Sequence, residues 1–567
     1  MILKALYDYY NRCDNLPAKG MEEKEIGFLI VLSPDGHFLR FEDCRTEKDH
    51  ARVYLVKKHV GRSSAAVANY LYDNSAYVLG YSEKSNGKEQ LYFDTFKAKV
   101  ESISELFPDN KDLYAIRNFY NNSRETILDM ISLDVLWEDI KKNLSKKYST
   151  FSFRIEGDLK IVAEKKEILQ LEDCDDETKA DNLCLVSGKH GPSVDTTTAT
   201  MIAGSQATAK LVAFQVNSGY DSYGKSKCGN APISEEAEFA YTTALNSMLQ
   251  KGSRNKFMLG SRTFVFWASN NKEASKETEE SLFELLGFSE DTNDDPNANL
   301  MKVRKVFESI YSGIMKTELD DKFYILGLAP NSARIAVVYW SETTLKDFAE
   351  KILCHFNDME IHDTRKDKKP YMGIREIISS VTLGGKMSDA TPNLPEAVVK
   401  SIFQGLPYPQ TLYSACIRRI RAEQKLTITR AAIIKAYLNR QSNNNKKIDI
   451  MLDKDNNNQG YLCGRLFAVL DKIQEDANNI SSIRERYMNA ASATPSAVFA
   501  TILNLSVHHS EKLDGGRRIY FEKLKQEILD KVSADGFPTH LDLQDQGRFF
   551  VGYYHQRQDF FTSKKEQ

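Results

Sequence analysis

Between residues 461 and 561, apolar side chains return at three- and four-residue steps in four successive stretches, a spacing that leaves few ways to fold the segment. In 461–477, Leu462, Leu466, Val469, Leu470, Ile473 and Ala477 fall on one face of a helix. A second helix is predicted from Thr494-Pro495, where a hydroxyl can cap open N–H groups and proline takes the first helical position; it presents Val498, Phe499, Ile502 and Leu505. Gly515-Gly516 reads as a break. A third stripe, Phe521, Leu524, Ile528 and Val532, stops near Gly536-Phe537-Pro538, and a fourth runs from about Asp542 through Phe550 and Tyr554 to Phe561. Four amphipathic helices on short connections bury their stripes against one another, so a compact bundle able to stand alone is expected.

Positive charge is concentrated just upstream. Residues 401–447 carry nine Lys or Arg against one acidic residue, Glu423, in a chain whose formal net charge is -3. Arg418, Arg419, Arg421, Lys425, Arg430, Lys435 and Arg440 lie in a predicted helical region that also supplies Ile417, Ile420, Leu426, Ile434 and Leu438 for packing. A cationic face on a buried helix pair suits a polyanion, because phosphate contacts release counterions; a solvated helix face is the plainer alternative. From Met451 onward, 117 residues hold 15 basic and 16 acidic side chains. The bundle would therefore meet a strand through a local patch, not through bulk charge.

The 567 residues exceed one hydrophobic core and predict several compact units. The expected fold class is α+β, a mixed α/β N-terminal region followed by an all-α C-terminal helical bundle. Its divisions are 1–380 with a break near 150–185, a basic helical segment 381–450, and the bundle 451–567. The longest clean apolar run, 26–32, is far short of the ~20 residues a bilayer requires. With no secretory signal visible, a cytoplasmic chain without membrane partners is expected. Eight cysteines are scattered with no C-x-x-C pair and no histidine at ligand spacing, including Cys174 and Cys184, which flank a charged loop. That argues against the common zinc frameworks, and neither metal nor cofactor is expected.

Along the chain, a short helix at 2–13 is followed by a hairpin: strand 26–32, turn Pro34-Asp35-Gly36, return strand 37–42. Residues 57–64 form a basic, small-residue loop, and 69–80 is aromatic, amide-rich and ends strand-like. Helix dominates 93–144, and strands return at 151–161. Acidic tracts at 172–177 and 273–295 read as largely exposed loops or insertions, the second with a short apolar helix around 282–288. Residues 264–267, 324–328 and 334–340 look like strands, and the chain becomes almost wholly helical from about Leu394.

Catalytic patterns are scarce. Residues 219–226 fit the letters of the P-loop, but Lys227 to Pro232 is a breaker where a helix must open, so an ordinary Gly-rich loop is favoured. His508 and His509, adjacent on a helix, point to different faces and cannot chelate together. Asp542 and Asp545 suit helix capping better than a nuclease cluster with Asp559. Contact is better represented than reaction. In Gly61-Arg62-Ser63-Ser64, small residues let backbone N–H groups approach an anion while Arg62 adds charge-assisted bonds. Asn69 and Asn74 carry amides that can read base edges, and Lys210, Lys225, Lys227 and Asn230 make a second polar set.

Several stretches together resemble one family, the large subunit of the type I-C CRISPR surveillance complex (Cascade, Dvulg subtype). They include the opening ten residues, Ser222-Tyr223-Gly224 leading to Asn230-Ala231-Pro232, Leu328-Ala329-Pro330-Asn331, Gly405-Leu406-Pro407-Tyr408-Pro409 and, most specifically, Gly464-Arg465-Leu466-Phe467, Asp545-Gln546-Gly547-Arg548-Phe549 and Gly552-Tyr553-Tyr554-His555-Gln556-Arg557. The resemblance implies a subunit that is not a nuclease. It would join a crRNA, Cascade backbone subunits and a handle-processing subunit, inspect the protospacer-adjacent motif in double-stranded target DNA, line the path of the displaced single strand, and help recruit a helicase-nuclease. It also implies an internal start that yields a free small subunit, for which Met451 is the matching position. From chemistry and position, Arg62, Ser63, Ser64 and Asn69 are expected at the motif or the RNA handle, with Lys225 and Asn230 as a second set. Arg418, Arg419, Arg421, Arg430, Arg465, Arg548 and Arg557 are expected on a strand. A DNA-processing enzyme and a purely structural scaffold remain the competing readings.

Overall fold

The computed structural model describes residues 2–562 except 14, 48–49, 61–65, 85–86, 147, 172–180, 201, 215–220, 251, 260, 286–295, 366–371, 387–388, 392, 442–446 and 481. Helix α1 (Ile2–Arg12) is followed by strands β1 (Met21–Ile26), β2 (Phe28–Leu32), β3 (Phe38–Asp43), β4 (Arg45–Glu47), β5 (His50–Lys57) and β6 (Tyr72–Asn74). Five helices, α2 (Ser75–Val78), α3 (Glu89–Leu106), α4 (Lys111–Tyr120), α5 (Arg124–Ser132) and α6 (Trp137–Asn143), then lead to β7 (Thr150–Ile155). The Phe-Leu-Ile-Val-Leu run of β2 is wholly buried, as a strand covered on both faces must be. It pairs antiparallel with β3 through the expected turn and parallel with β7, in the order β3-β2-β7-β6. The parallel pair is possible because the helical crossover returns the chain to the same end of the sheet. A separate ribbon, β1-β5-β4, stands beside it. Segment 69–80 ends in a helical turn, not a strand: Asn74 accepts the N–H groups of Ala76 and Tyr77 and so caps α2.

After α7 (Lys166–Leu169) come the short pair β8 (Asp181–Leu183) and β9 (His190–Pro192), then α8 (Glu235–Leu249), against which α1 packs Ala5, Leu6 and Tyr7. Strands β10 (Lys256–Leu259) and β11 (Arg262–Ala268) are separated from β12 (Lys322–Asn331) and β13 (Arg334–Thr344) by α9 (Glu273–Leu285) and α10 (Pro296–Ser312). The four strands form one antiparallel sheet in sequence order. The acidic tract expected as an exposed loop is helical over 273–285. Ala274, Ser275, Thr278, Ser281, Leu282 and Leu285 are buried along it, Glu273 and Glu280 are exposed, and Glu279 turns inward to accept the Ala268 N–H at 2.7 Å.

The rest is helical: α11 (Leu345–Met359), α12 (Ile374–Ser380), α13 (Leu394–Phe403), α14 (Gln410–Glu423) and α15 (Ile428–Gln441), then α16 (Gln459–Asn478), α17 (Ser482–Ala491), α18 (Pro495–Ser510), α19 (Gly515–Leu529) and α20 (Leu543–Asp559). The tail thus holds five helices where four stripes were read. Gly515-Gly516 does not break the chain; it forms the first turn of α19, capped by Asp514, whose carboxylate accepts the N–H of Arg517 at 3.0 Å. Thr494 does not cap α18 with its side chain, although Pro495 does open that helix. Asp542 caps α20, accepting the Asp545 N–H at 2.7 Å. Helix α16 is buried around its whole circumference from Gly460 to Asp471, so it is the axis of the assembly and not an amphipathic surface helix. One hydrophobic cluster runs from Phe257 in β10 through Phe348, Leu412, Ile433 and Leu466 to Tyr554 in α20, so the tail shares its core with the helices before it.

Candidate nucleic-acid interface

Strands β1, β5 and β6 and the start of β7 surround a cavity of about 320 Å3 lined by Lys24, His59, Val60, Asn69, Tyr72, Asp73, Asn74 and Thr150. Its frame is a hydrogen-bond lattice. Tyr72 donates its hydroxyl to Glu22 Oε1 at 3.0 Å and to the Lys57 carbonyl at 2.8 Å. Glu22 also receives the His59 backbone N–H at 3.1 Å and faces His59 Nδ1 at 2.8 Å. Burial pushes the Glu22 carboxyl up, but the bonds from His59 and Tyr72 and the charge of Lys24 prevail and hold it below its ordinary range. Asp73, itself buried, accepts the backbone N–H groups of Asn69 and Asn74 at 3.0 and 2.8 Å. Asn69 Oδ1 accepts the Val60 N–H at 2.9 Å, which pins the side chain. Leu71, between them, takes a left-handed backbone (φ 61), a strained conformation of the kind that gathers at functional sites. Asn69 was among the residues singled out from sequence; Arg62, Ser63 and Ser64 lie outside the described residues. Lys24 and Thr150 were missed, because strand pairing brings them to this cavity from distant sequence, and Tyr72, three residues from Asn69, was read only as part of an aromatic segment.

Lys225 and Asn230 are exposed on one loop, where Asn230 Nδ2 donates to the Ser222 carbonyl at 3.0 Å. Lys227 is paired with Asp195. The turn Lys227–Asn230 is a single 3-10 turn and α8 begins only at Glu235, so the lysine of the P-loop lookalike does not open a helix.

The basic segment is sorted by burial. Arg418 is exposed, and with Arg419 it lines a groove of about 300 Å3 whose other wall includes Thr382, Leu383, Asp389 and Thr391. Arg419 Nε donates to Glu423 Oε1 at 3.0 Å. Arg430, only 5% exposed, is held by Glu423 at 2.6 Å and donates to the carbonyls of Ser380 and Lys425, both at 2.9 Å. Arg440 pairs with Asp358 at 2.6 Å and lies over the Tyr408 ring, and Lys435 is buried. Arg421 is half-buried, with Nε and Nη2 meeting no partner among the described residues, and that burial lowers its pKa.

In the tail, Arg465 is 0% exposed, donating from Nε to Gln556 Oε1 at 3.1 Å and from Nη2 to Glu527 Oε1 at 3.3 Å. Arg548 pairs with Asp545 at 2.8 Å and Arg557 with Glu475 at 2.7 Å. These guanidiniums are committed to internal partners. Among the exposed cations of the tail, Lys512, Arg517, Arg518 and Lys523 gather at and just before the first turns of α19, near the exposed Tyr520. Reading Gly515-Gly516 as a break hid them. Among the described residues, no group of three or more His, Cys, Asp or Glu could hold a metal ion, and no helix is long and apolar enough to cross a membrane.

No curated protein matches the chain. The family model described as CRISPR-associated protein (Cas_Csd1) matches residues 6–561, from the first helix to just past the end of α20. With polar pockets and exposed cations spread along a match of that extent, this chain belongs to the Csd1 family of CRISPR-associated proteins.

Proposed function

We propose that this chain is the large, non-catalytic subunit of a type I-C RNA-guided interference complex. In this reading it inspects the protospacer-adjacent motif in duplex DNA, aids unwinding and holds the R-loop. Its partners are the crRNA, the backbone and handle-processing subunits, a small subunit and the helicase-nuclease. Base pairing supplies target sequence in such complexes, so the protein needs only short-motif readout and a cationic path for the displaced strand. The observation that carries the reading is the family match over residues 6–561. The geometry supports it with the Asn69 pocket for readout, and with the Arg418 groove and the Arg517–Arg518 corner for phosphates. Asn69→Ala combined with Arg62→Ala is expected to weaken binding of the assembled complex to a duplex target by tenfold or more while sparing a target already opened beside the motif. Equal loss on both targets would overturn the motif assignment.

A scaffold role draws on a specific observation, the internal commitment of Arg430, Arg440 and Arg465. Arg418→Ala with Arg517→Ala and Arg518→Ala separates the two: loss of strand affinity at unchanged assembly favours the strand path, and loss of assembly favours the scaffold. Met451, exposed between α15 and α16, is proposed as an internal start; Met451→Leu should remove a short C-terminal product and leave the full-length chain.

A further inference from the structure

The donors that line the Asn69 cavity are largely unspent. Asn69 is 8% exposed, and while its Oδ1 is engaged by Val60, its Nδ2 meets no partner among the described residues. Asn74 uses Oδ1 to cap α2, which leaves its Nδ2 without a partner there. Lys24 makes no hydrogen bond or ion pair among the described residues, and the Thr150 hydroxyl at the head of β7 makes no hydrogen bond there. These donors face an open cleft, so a ligand that brings acceptors can satisfy several of them at once. Its one buried carboxylate, Asp73, is engaged by the backbone N–H groups of Asn69 and Asn74. The half-exposed His59 ring is part of the lining and offers a flat surface. The volume is many times the ~30 Å3 share of one water and suits a single planar group with its sugar.

We infer that this cavity seats one unstacked keto-bearing nucleobase, guanine, thymine or uracil, whose carbonyl oxygens accept from Asn69, Asn74, Lys24 and Thr150. The plane of the base lies against His59. Adenine and cytosine present exocyclic amino donors where these bases carry a carbonyl, and donor against donor leaves both groups unpaired. The inference rests on the nucleic-acid reading above and gives the pocket a different mode, recognition of one base taken out of the stack and not of edges along an intact groove, so that loss of Asn69 weakens an opened target as well as a closed duplex. Pulling a base from its neighbours is cheapest in a single strand or beside a melted junction.

The test uses the full chain and labelled adenine hexamers, in DNA and in RNA, each carrying one central guanine, thymine (uracil in RNA), cytosine or adenine, with affinity read by fluorescence anisotropy. The keto-bearing hexamers are expected to bind roughly tenfold or more tighter than the adenine and cytosine ones. Asn69→Asp, which keeps the oxygen that receives the Val60 N–H, should erase that preference, and Lys24→Met at the rim should reduce it. A stronger preference in the DNA series assigns the base to the target, and in the RNA series to the guide. Binding without base preference, or a preference that survives Asn69→Asp, overturns the pocket and leaves the nucleic-acid reading standing. Failure of the wild-type chain to bind any hexamer overturns both.

Discussion

Two histidines in the helical region show how burial sets chemistry one residue at a time. His355 is fully buried with Nδ1 2.8 Å from the Tyr408 hydroxyl, and His555 is buried with Nδ1 2.9 Å from that of Tyr461. Burial, aided by the charge of Arg440 on the first and Lys435 on the second, lowers each imidazole from 6.5 to about 3. Between those values the unfolded chain binds two protons that the folded chain refuses, so stability rises with pH across the window. It is complete above pH 6.5 and falls as the solution is acidified. Each histidine should contribute a loss of about 1.4 kcal/mol per pH unit. Thermal melts from pH 7 to pH 4.5 should show the decline, and His555→Asn should flatten it; an unchanged slope would place His555 outside this account. The same sorting explains why the run of arginines was only partly legible. A charge run announces cations, but the residues that bury Arg440 and Arg465, Asp358, Glu527 and Gln556, lie at sequence separations that no local pattern exposes. Asn69 could be singled out as a candidate because its amide chemistry is local, whereas Lys24 and Thr150 join its cavity through sheet pairing.

At the scale of elements, the contact between α16 and α20 is made by glycines. A Cβ on Gly464 would press into the Phe549 carbonyl, and one on Gly552 into the Tyr461 carbonyl, so the two backbones touch where side chains would hold them apart. Gly464→Ala should therefore cost about 3 kcal/mol or more, since the obstructing atoms are backbone and cannot rotate away. Urea denaturation measures it, and a cost under about 0.5 kcal/mol, the ordinary surface range, would contradict the close crossing. Helix α9 gives a second test. Leu282→Ala should destabilise the chain by roughly 2–5 kcal/mol if this face is core, against nearly nothing for an exposed insertion. The sequence reading expected a helix only around 282–288 and missed the turns before it, because four of the six buried residues of α9 are Ala, Ser or Thr, which a search for apolar periodicity passes over. Helix α17 escaped for a related reason: only Ile483, Met488 and Ala491 are buried along it. The strands β2, β11, β12 and β13 were legible because their residues are apolar, β-branched and aromatic over strand length.

For the whole molecule, the α+β division follows from the order of the patterns, strands and crossover helices first, then helices alone. How the tail meets the rest does not follow from its own stripes. Tyr413 of α14 donates to the Leu543 carbonyl at 2.6 Å, and Ile434 of α15 lies against Gly547 of α20. A chain beginning at Met451 must therefore leave that face of α20 open or cover it with another molecule. Free 451–567 is expected to melt at a lower temperature than the same segment within the full chain, which differential scanning calorimetry of both would decide. The central claim is that a CRISPR-associated chain of this fold reads nucleic acid through its N-terminal pocket. The most direct measurement is a structure of the assembled complex on a duplex target. The account predicts nucleic-acid atoms within about 3.5 Å of the Asn69 amide. Nucleic acid bound elsewhere on the chain, with the pocket open to solvent, would contradict it.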